Sequence, residues 1–291
     1  MKSVYTGGEK VAEFENYDEL RVGDSKPAFI YEGNELVYPN PVKDGLVLWY
    51  DFSGRTNEDG QRGIAEDLSG NGNHGTLQNF NYTAESGYDK NKLLFDGVDD
   101  RIIELSPTVN AVHTYESTFL ISSQQSNWGG VFGNYNHKSG DRAGGNISAY
   151  KDATSSSVRV AYADSSGTYR NLSTVADVEQ INHVTAVFGE GSERIYINGE
   201  LRYENTYGYT PIPSTEDFGL SLGVWESVPS YRFYGDVFSV RAYNRPLTAE
   251  EIAHNYAIEK ERFIDRIYPV VTNLPVGQGK ISETLKVGGD K

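Results

Sequence analysis

A dozen short apolar runs, each closed by a turn signal, constrain this chain more than any other feature. Between residues 45 and 263 they read GLVLWYDF, KLLFDG, DRIIEL, STFLISS, GGVFGNY, NISAYK, SVRVAYA, YRNLST, NHVTAVFG, ERIYINGELRYEN, FGLSLGV and RFYGDVFSVRAYN. Runs this short at this spacing predict antiparallel strands in a two-sheet sandwich, an all-β fold, rather than strands alternating with helices. Within them IYINGELRYE is a hairpin, because Asn198 and Gly199 supply the two positive-φ positions of a type I′ turn. The 21 tyrosines and 31 glycines agree with this: Tyr, Thr and Val suit a half-buried pleated surface, and Gly and Asn supply turns. One helix is signposted near the end. Thr248 caps it, Glu251 completes a capping box, and Ile252, Tyr256, Glu259 and Phe263 fall along one face.

The flanks read differently. Residues 1–44 carry short strand candidates, SVYTG, KVAEFEN, AFIYEG and ELVYPNP, with Phe29, Tyr31, Leu36 and Tyr38 alternating around a Gly33-Asn34 turn. Pro39 and Pro41 close that segment and mark a boundary. It is too small for a generous core, so it is expected to pack on something else, such as another subunit. Residues 264–291 hold Pro and Gly and no sustained period, which leaves two readings, a flexible tail or an extended arm that orders on a neighbouring subunit. The expected organisation is a β-hairpin attachment module (1–44), a main domain (45–263) and an extended arm (264–291).

Charge narrows the partners. With 41 acidic against 26 Lys and Arg residues the formal charge is −15, which argues against nucleic acid or an anionic membrane and leaves carboxylates for cations such as calcium. There is no cysteine, so disulfides and thiolate metal sites are excluded. No stretch approaches the roughly 18 apolar residues of a membrane span, so no membrane insertion is expected. The N-terminal MKSVYTGGEKVAEF lacks the apolar core of a signal peptide. A protein of this kind working outside a cell would leave by lysis or a non-classical route, or belong to a particle.

The loop DLSGNGNHGTLQNF, residues 67–80, is the densest run of permissive residues. It is not a phosphate cradle, which needs a Lys and a following helix. Asp67, Asn71 and Asn73 could offer oxygens to a calcium ion, or could bond their own backbone as Asx turns. His74 is expected to hydrogen-bond the loop. Sugar binding needs an exposed aromatic and a few planar polar groups. Trp128, in SSQQSNWGGVFGNYNH, and Trp225, in GVWESVPSYRFYG, are the candidates, with Tyr135 and Tyr207 beside them, whereas Trp49 in LVLWYDF reads as core.

Five segments, GLVLWYDF, AEDLSGNGNHGTL, LLFDGVDDRIIEL, RIYINGEL and FSVRAYNRPLTAEEIAHNY, stand in the order typical of laminin-G-like, concanavalin-A-like jelly-roll domains, and residues 45–263 resemble that family. The helix with HNYAIEKERF resembles versions found in phage and prophage tail proteins, and FIYEGNELVYPNP resembles short β-modules of phage structural proteins. The resemblance implies a two-sheet antiparallel jelly roll, frequent glycan binding and, in some members, one structural calcium. In many relatives the closing strand reads G-x-I-D-E-V-R-I-Y-N-R, with acids near the metal. Here GDVFSVRAYNR puts Phe238 and Ser239 in their place and leaves Asp236 as a fourth candidate ligand beside Asp67, Asn71 and Asn73. Glucanases of similar fold carry E-x-D-x-E on one strand, where a period of two puts all three acids on one face. VDDRIIE and TEDFG have the wrong spacing, and neither G-x-S-x-G nor H-E-x-x-H occurs, so no enzyme is expected. The expectation is a virion protein of a phage tail, fibre or capsid surface, assembled in the host cytoplasm. Its partners would be other virion proteins, copies of itself and a host-surface glycan. A bacterial carbohydrate-binding or adhesion module is the rival, and an atypical glycoside hydrolase a more distant one.

Overall fold

A computed structural model describes residues 2–6, 9–14, 20–22, 26–27, 29–32, 35–104, 109–134, 144–164, 166, 168–189, 191–206, 211, 220–225, 228–264, 270–271, 274–276 and 285–287. The chain divides into two compact units, one of Val42–Ala257 and one assembled from Met1–Pro41 together with Ile258–Lys291.

The smaller unit begins with β1 (Lys2–Thr6), β2 (Glu9–Phe14), β3 (Leu20–Val22), β4 (Lys26–Pro27), β5 (Ile30–Glu32) and β6 (Glu35–Tyr38). β1 pairs with β2, and β5 with β6, where Tyr31 meets Leu36 across the expected hairpin. The Gly33-Asn34 turn itself lies outside the described residues. The chain's other end adds Val270–Val271 parallel to β4, Leu274–Val276 parallel to β5, and Leu285–Val287 antiparallel to β3. The module and the arm read separately from the sequence therefore join as one β unit within the same chain. Strands of two or three residues are too short to show alternation, which is why residues 264–291 look aperiodic.

The larger unit holds β7 (Leu46–Asp51), β8 (Ile64–Ala65), β9 (Gly75–Gln78), β10 (Gly87–Asp89), β11 (Lys92–Asp96), β12 (Arg101–Glu104), β13 (His113–Ile121) and β14 (Asn127–Gly133). It continues with β15 (Gly145–Lys151), β16 (Ser156–Ala163), β17 (Tyr169–Val175), β18 (Ile181–Gly189), β19 (Ser192–Ile197), β20 (Glu200–Thr206), β21 (Leu220–Leu222) and β22 (Tyr234–Tyr243). They form two antiparallel sheets. The first runs β10-β11-β22-β13-β18-β19-β20, with β7 also on β22; the second runs β17-β16-β15-β14-β21-β12-β9-β8. Alternate residues of facing strands make the core. Tyr115 of β13 meets Phe132 of β14 edge-on at 5.2 Å, and Phe188 of β18 meets Tyr162 of β16 at 5.6 Å. The expected hairpin is present, with Asn198 at φ 52° and Gly199 at φ 76° between β19 and β20.

The α-helix Ala249–Glu259 is capped as its sequence predicts. The Thr248 Oγ1 accepts from the Glu251 N–H at 3.2 Å, and the Glu251 carboxylate accepts from the Thr248 N–H at 2.9 Å. Lys260–Ile264 then widens into a π turn, so Phe263 is buried one turn past the α-helix proper. Within the larger unit the helix meets a buried polar network on the outer face of the first sheet. Glu116 accepts from Asn255 Nδ2 at 2.8 Å, Arg241 Nη1 at 3.2 Å and Thr185 Oγ1 at 3.2 Å. No helix among the described residues is long and apolar enough to cross a membrane.

Glu116 and Arg241 are each about 1% exposed. Removing one partner strands the other charge away from water. We therefore expect Glu116→Ala to lower unfolding free energy by about 3–5 kcal/mol in a denaturant titration. A loss below about 1 kcal/mol would mean that the network does not hold the helix.

Candidate carbohydrate-binding face

The loop at residues 67–74 is a clasp on β7. Asp67 Oδ1 accepts from the N–H groups of Trp49 and Ser69, both at 2.9 Å. Oδ2 accepts from Ser69 Oγ at 2.8 Å and from the Asn73 N–H at 2.9 Å. Asn71 and Asn73 turn their amide nitrogens to the carbonyls of Leu46 and Val47, at 3.0 and 2.7 Å. His74 Nδ1 accepts from the Asp67 N–H at 3.0 Å. Both Asp67 oxygens thus face hydrogen atoms where a cation would have to sit, and these residues do not fit a calcium ion.

The fourth expected ligand is elsewhere. Trp49, which donates to Asp67, pairs with Arg241 of β22. Asp236 lies five residues further along that strand, about 17 Å away at a rise of about 3.4 Å per residue. Its carboxylate takes the Lys92 ammonium at 2.7 Å, and burial pushes its pKa up while Lys92 pulls it down. Among the described residues, the carboxylates that do converge are those of Asp96, Asp99 and Asp100, within 4.8 Å of one another. Asp100 accepts from Ser86 Oγ and from the Asp96 N–H, both at 3.0 Å, and burial holds its pKa up at about 7.

The outer face of the second sheet carries a row of half-buried aromatics. Side chains alternate there, so Ile147, Ala149, Val158 and Val160 enter the core while Tyr150 and Arg159 point out. Trp128 of β14 lies opposite Tyr150 of β15, with ring centroids 4.6 Å apart. The Arg159 guanidinium of β16 sits over the Trp128 ring, 3.5 Å from its centroid. Arg159 Nη1 also donates to the Tyr169 hydroxyl of β17 at 3.3 Å. Tyr169 packs in turn on a small cluster of Ala163, Trp225, Val228 and Tyr231. Burial pushes the Tyr169 phenol up, against the pull of Arg159.

This is a continuous strip, Tyr150, Trp128, Arg159 and Tyr169, with exposed Ser173 and Asn171 of β17 along its edge. At the Tyr150 end, its hydroxyl donates to Asp152 at 3.0 Å. Asp152 belongs to a turn that walls a depression of about 450 Å³, lined also by Lys151, Ser156, Val175 and Val178.

Of the four aromatics expected to meet a sugar, Trp128 is half-buried on this strip. Trp225 is only 4% exposed and anchors the turn beneath Tyr231 rather than presenting its ring. The reason is that the Val224–Arg232 segment folds back over the sheet: a Cβ on Gly130 would sit 2.3 Å from the Trp225 nitrogen. Tyr135 and Tyr207 lie outside the described residues. Tyr150, Arg159 and Tyr169 were not singled out from the sequence. The alternation in SVRVAYA puts Arg159 on the non-core face, but nothing local says that Trp128 lies beside it.

The family profile of the concanavalin A-like lectin/glucanases superfamily matches residues 106–253, which include both halves of this strip. The chain belongs to that superfamily. No curated protein sequence matches the chain. Solved structures share the sandwich at low identity. The Trypanosoma rangeli sialidase in complex with sialic acid is 17% identical with a TM-score of 0.53, over 75% of this chain and 33% of that one. The botulinum neurotoxin serotype D binding domain is 15% identical with a TM-score of 0.53, over 77% of this chain and 54% of that one. The chain therefore spans about a third of the sialidase and about half of the toxin binding domain, and the likeness is one of fold.

Because the 67–74 clasp is complete without metal, Asp67→Ala should lower stability by about 2–4 kcal/mol through its orphaned donors. Thermal melts should show the same loss in excess calcium and in chelator. A loss confined to calcium-loaded protein would contradict the clasp.

Proposed function

We propose that this protein is a non-catalytic glycan-adhesion component of a virus particle, whose sandwich presents the Trp128 strip to a sugar on the host surface. The observation that carries the reading is the strip itself. A half-buried indole, a phenol, a guanidinium and exposed hydroxyl and amide groups share one sheet face, the combination that stacks on a sugar ring and reads its hydroxyls. The depression beside Tyr150 leaves room for a second sugar unit. Two structures of similar fold, one a sialidase in complex with sialic acid and one a toxin binding domain, lend support to sugar recognition by a sandwich of this kind.

The particle half of the reading rests on the smaller unit and on the resemblance of the end helix and the N-terminal segment to phage structural proteins. A β unit built from Met1–Pro41 and Ile258–Lys291 is suited to attachment, because it leaves the sandwich one continuous stretch of chain. On this reading the partners are other particle proteins, through that unit, and the host glycan, through the strip.

The full chain should bind host cells or their purified surface polysaccharide, and Trp128→Ala should weaken binding about tenfold or more while the melting temperature moves little. Mass spectrometry of purified particles should find the chain. Cell binding by a chain that no particle contains would favour a cellular adhesion module. Binding that survives Trp128→Ala unchanged would remove the strip as the site.

A further inference from the structure

We propose that the sugar taken by the Trp128 strip carries a carboxylate, and that Arg159 is the residue that selects it; this rests on the glycan reading above. In a chain of net charge −15, cations find acids easily: Lys92 pairs with Asp236, Arg170 with Asp164, Arg241 with Glu116 and Arg245 with Glu251. Arg159 faces no carboxylate among the described residues. Its contacts are the Trp128 face, 3.5 Å away, and one long hydrogen bond to Tyr169, and its Nε is buried without an acceptor.

An arginine held over an indole at 3.5 Å, with most of its five donors unspent, is preorganised for a planar anion. The indole restrains the guanidinium, whose edge matches the two oxygens of a carboxylate. Leaving the buried Nε unmet costs free energy until an acceptor arrives. The neighbouring groups suit a carboxylated sugar better than a free acid. Tyr150 and the rim of Trp128 left beside Arg159 offer apolar surface to the ring, and Ser173, which pairs with Arg159 across β16 and β17, offers a hydroxyl.

The overall charge limits the ligand further. A polyanion would be repelled by the −15 chain, whereas one acidic residue within an otherwise neutral glycan would feel mainly Arg159 at contact. The ligand class is therefore a neutral oligosaccharide bearing an isolated carboxylated unit.

The test uses the full chain and oligosaccharides that differ only in charge: sialyllactose and a glucuronate-bearing xylo-oligosaccharide, each as the free acid and as its methyl ester, with lactose and xylotriose as neutral controls. Calorimetry should show at least one free acid binding about tenfold or more tighter than its ester. Arg159→Ala should erase that preference, and Arg159→Lys should restore only part of it, because an ammonium keeps the charge but loses the planar fork. Circular dichroism of both variants checks that they fold. Equal binding of acid and ester, or a preference that survives Arg159→Ala, overturns the inference and leaves the glycan reading standing. No binding to any member, acidic or neutral, overturns both.

Discussion

The ten residues of β22, Tyr234–Tyr243, take hydrogen-bond partners on both sides: β13 along one, and β11 followed by β7 along the other. Val237, Val240 and Ala242 of this strand are fully buried, and a slip of one residue would turn its apolar side chains to the wrong face. Its outward residue Arg241 joins β13 through Glu116, and through Asn255 the same carboxylate reaches the helix. Register along β22 therefore fixes the first sheet and what covers its outer side.

The helix covers the outer face of the first sheet around β13 and β22, and the outer face of the second sheet carries the aromatic strip. Two glycines of β14 shape it. Side chains at Gly129 and Gly130 would collide with the backbone at Arg232 and at Val224–Trp225, so the returning segment can lie close and bury Trp225. Trp128, one residue earlier, stays half-buried under Arg159. The same NWGG sequence thus separates a tryptophan half-buried on the outer face from one that anchors a turn.

The fold was legible because its signals are local. Asn198-Gly199 needs two positive φ angles wherever it sits, Thr248 and Glu251 are three residues apart, and the strands alternate with a period of two. The candidate face was only partly legible because it is assembled across strands. Trp128 showed itself by polar neighbours, but Tyr150, Arg159 and Tyr169 come from three other strands, and their adjacency depends on register. Trp225 has polar neighbours too, which hid its burial against Ala163. In the 67–74 loop, residue types alone suit both a cation and an Asx clasp. Direction decides between them, and the donors point inward to Asp67.

The three tryptophans give a direct readout of where a ligand lands, since each contributes one indole N–H resonance. In a nitrogen-labelled full chain titrated with bound oligosaccharide, the Trp128 indole signal should shift progressively while those of the buried Trp49 and Trp225 stay in place. Movement of the Trp49 or Trp225 signal with Trp128 unchanged would contradict a ligand on the outer face of the second sheet.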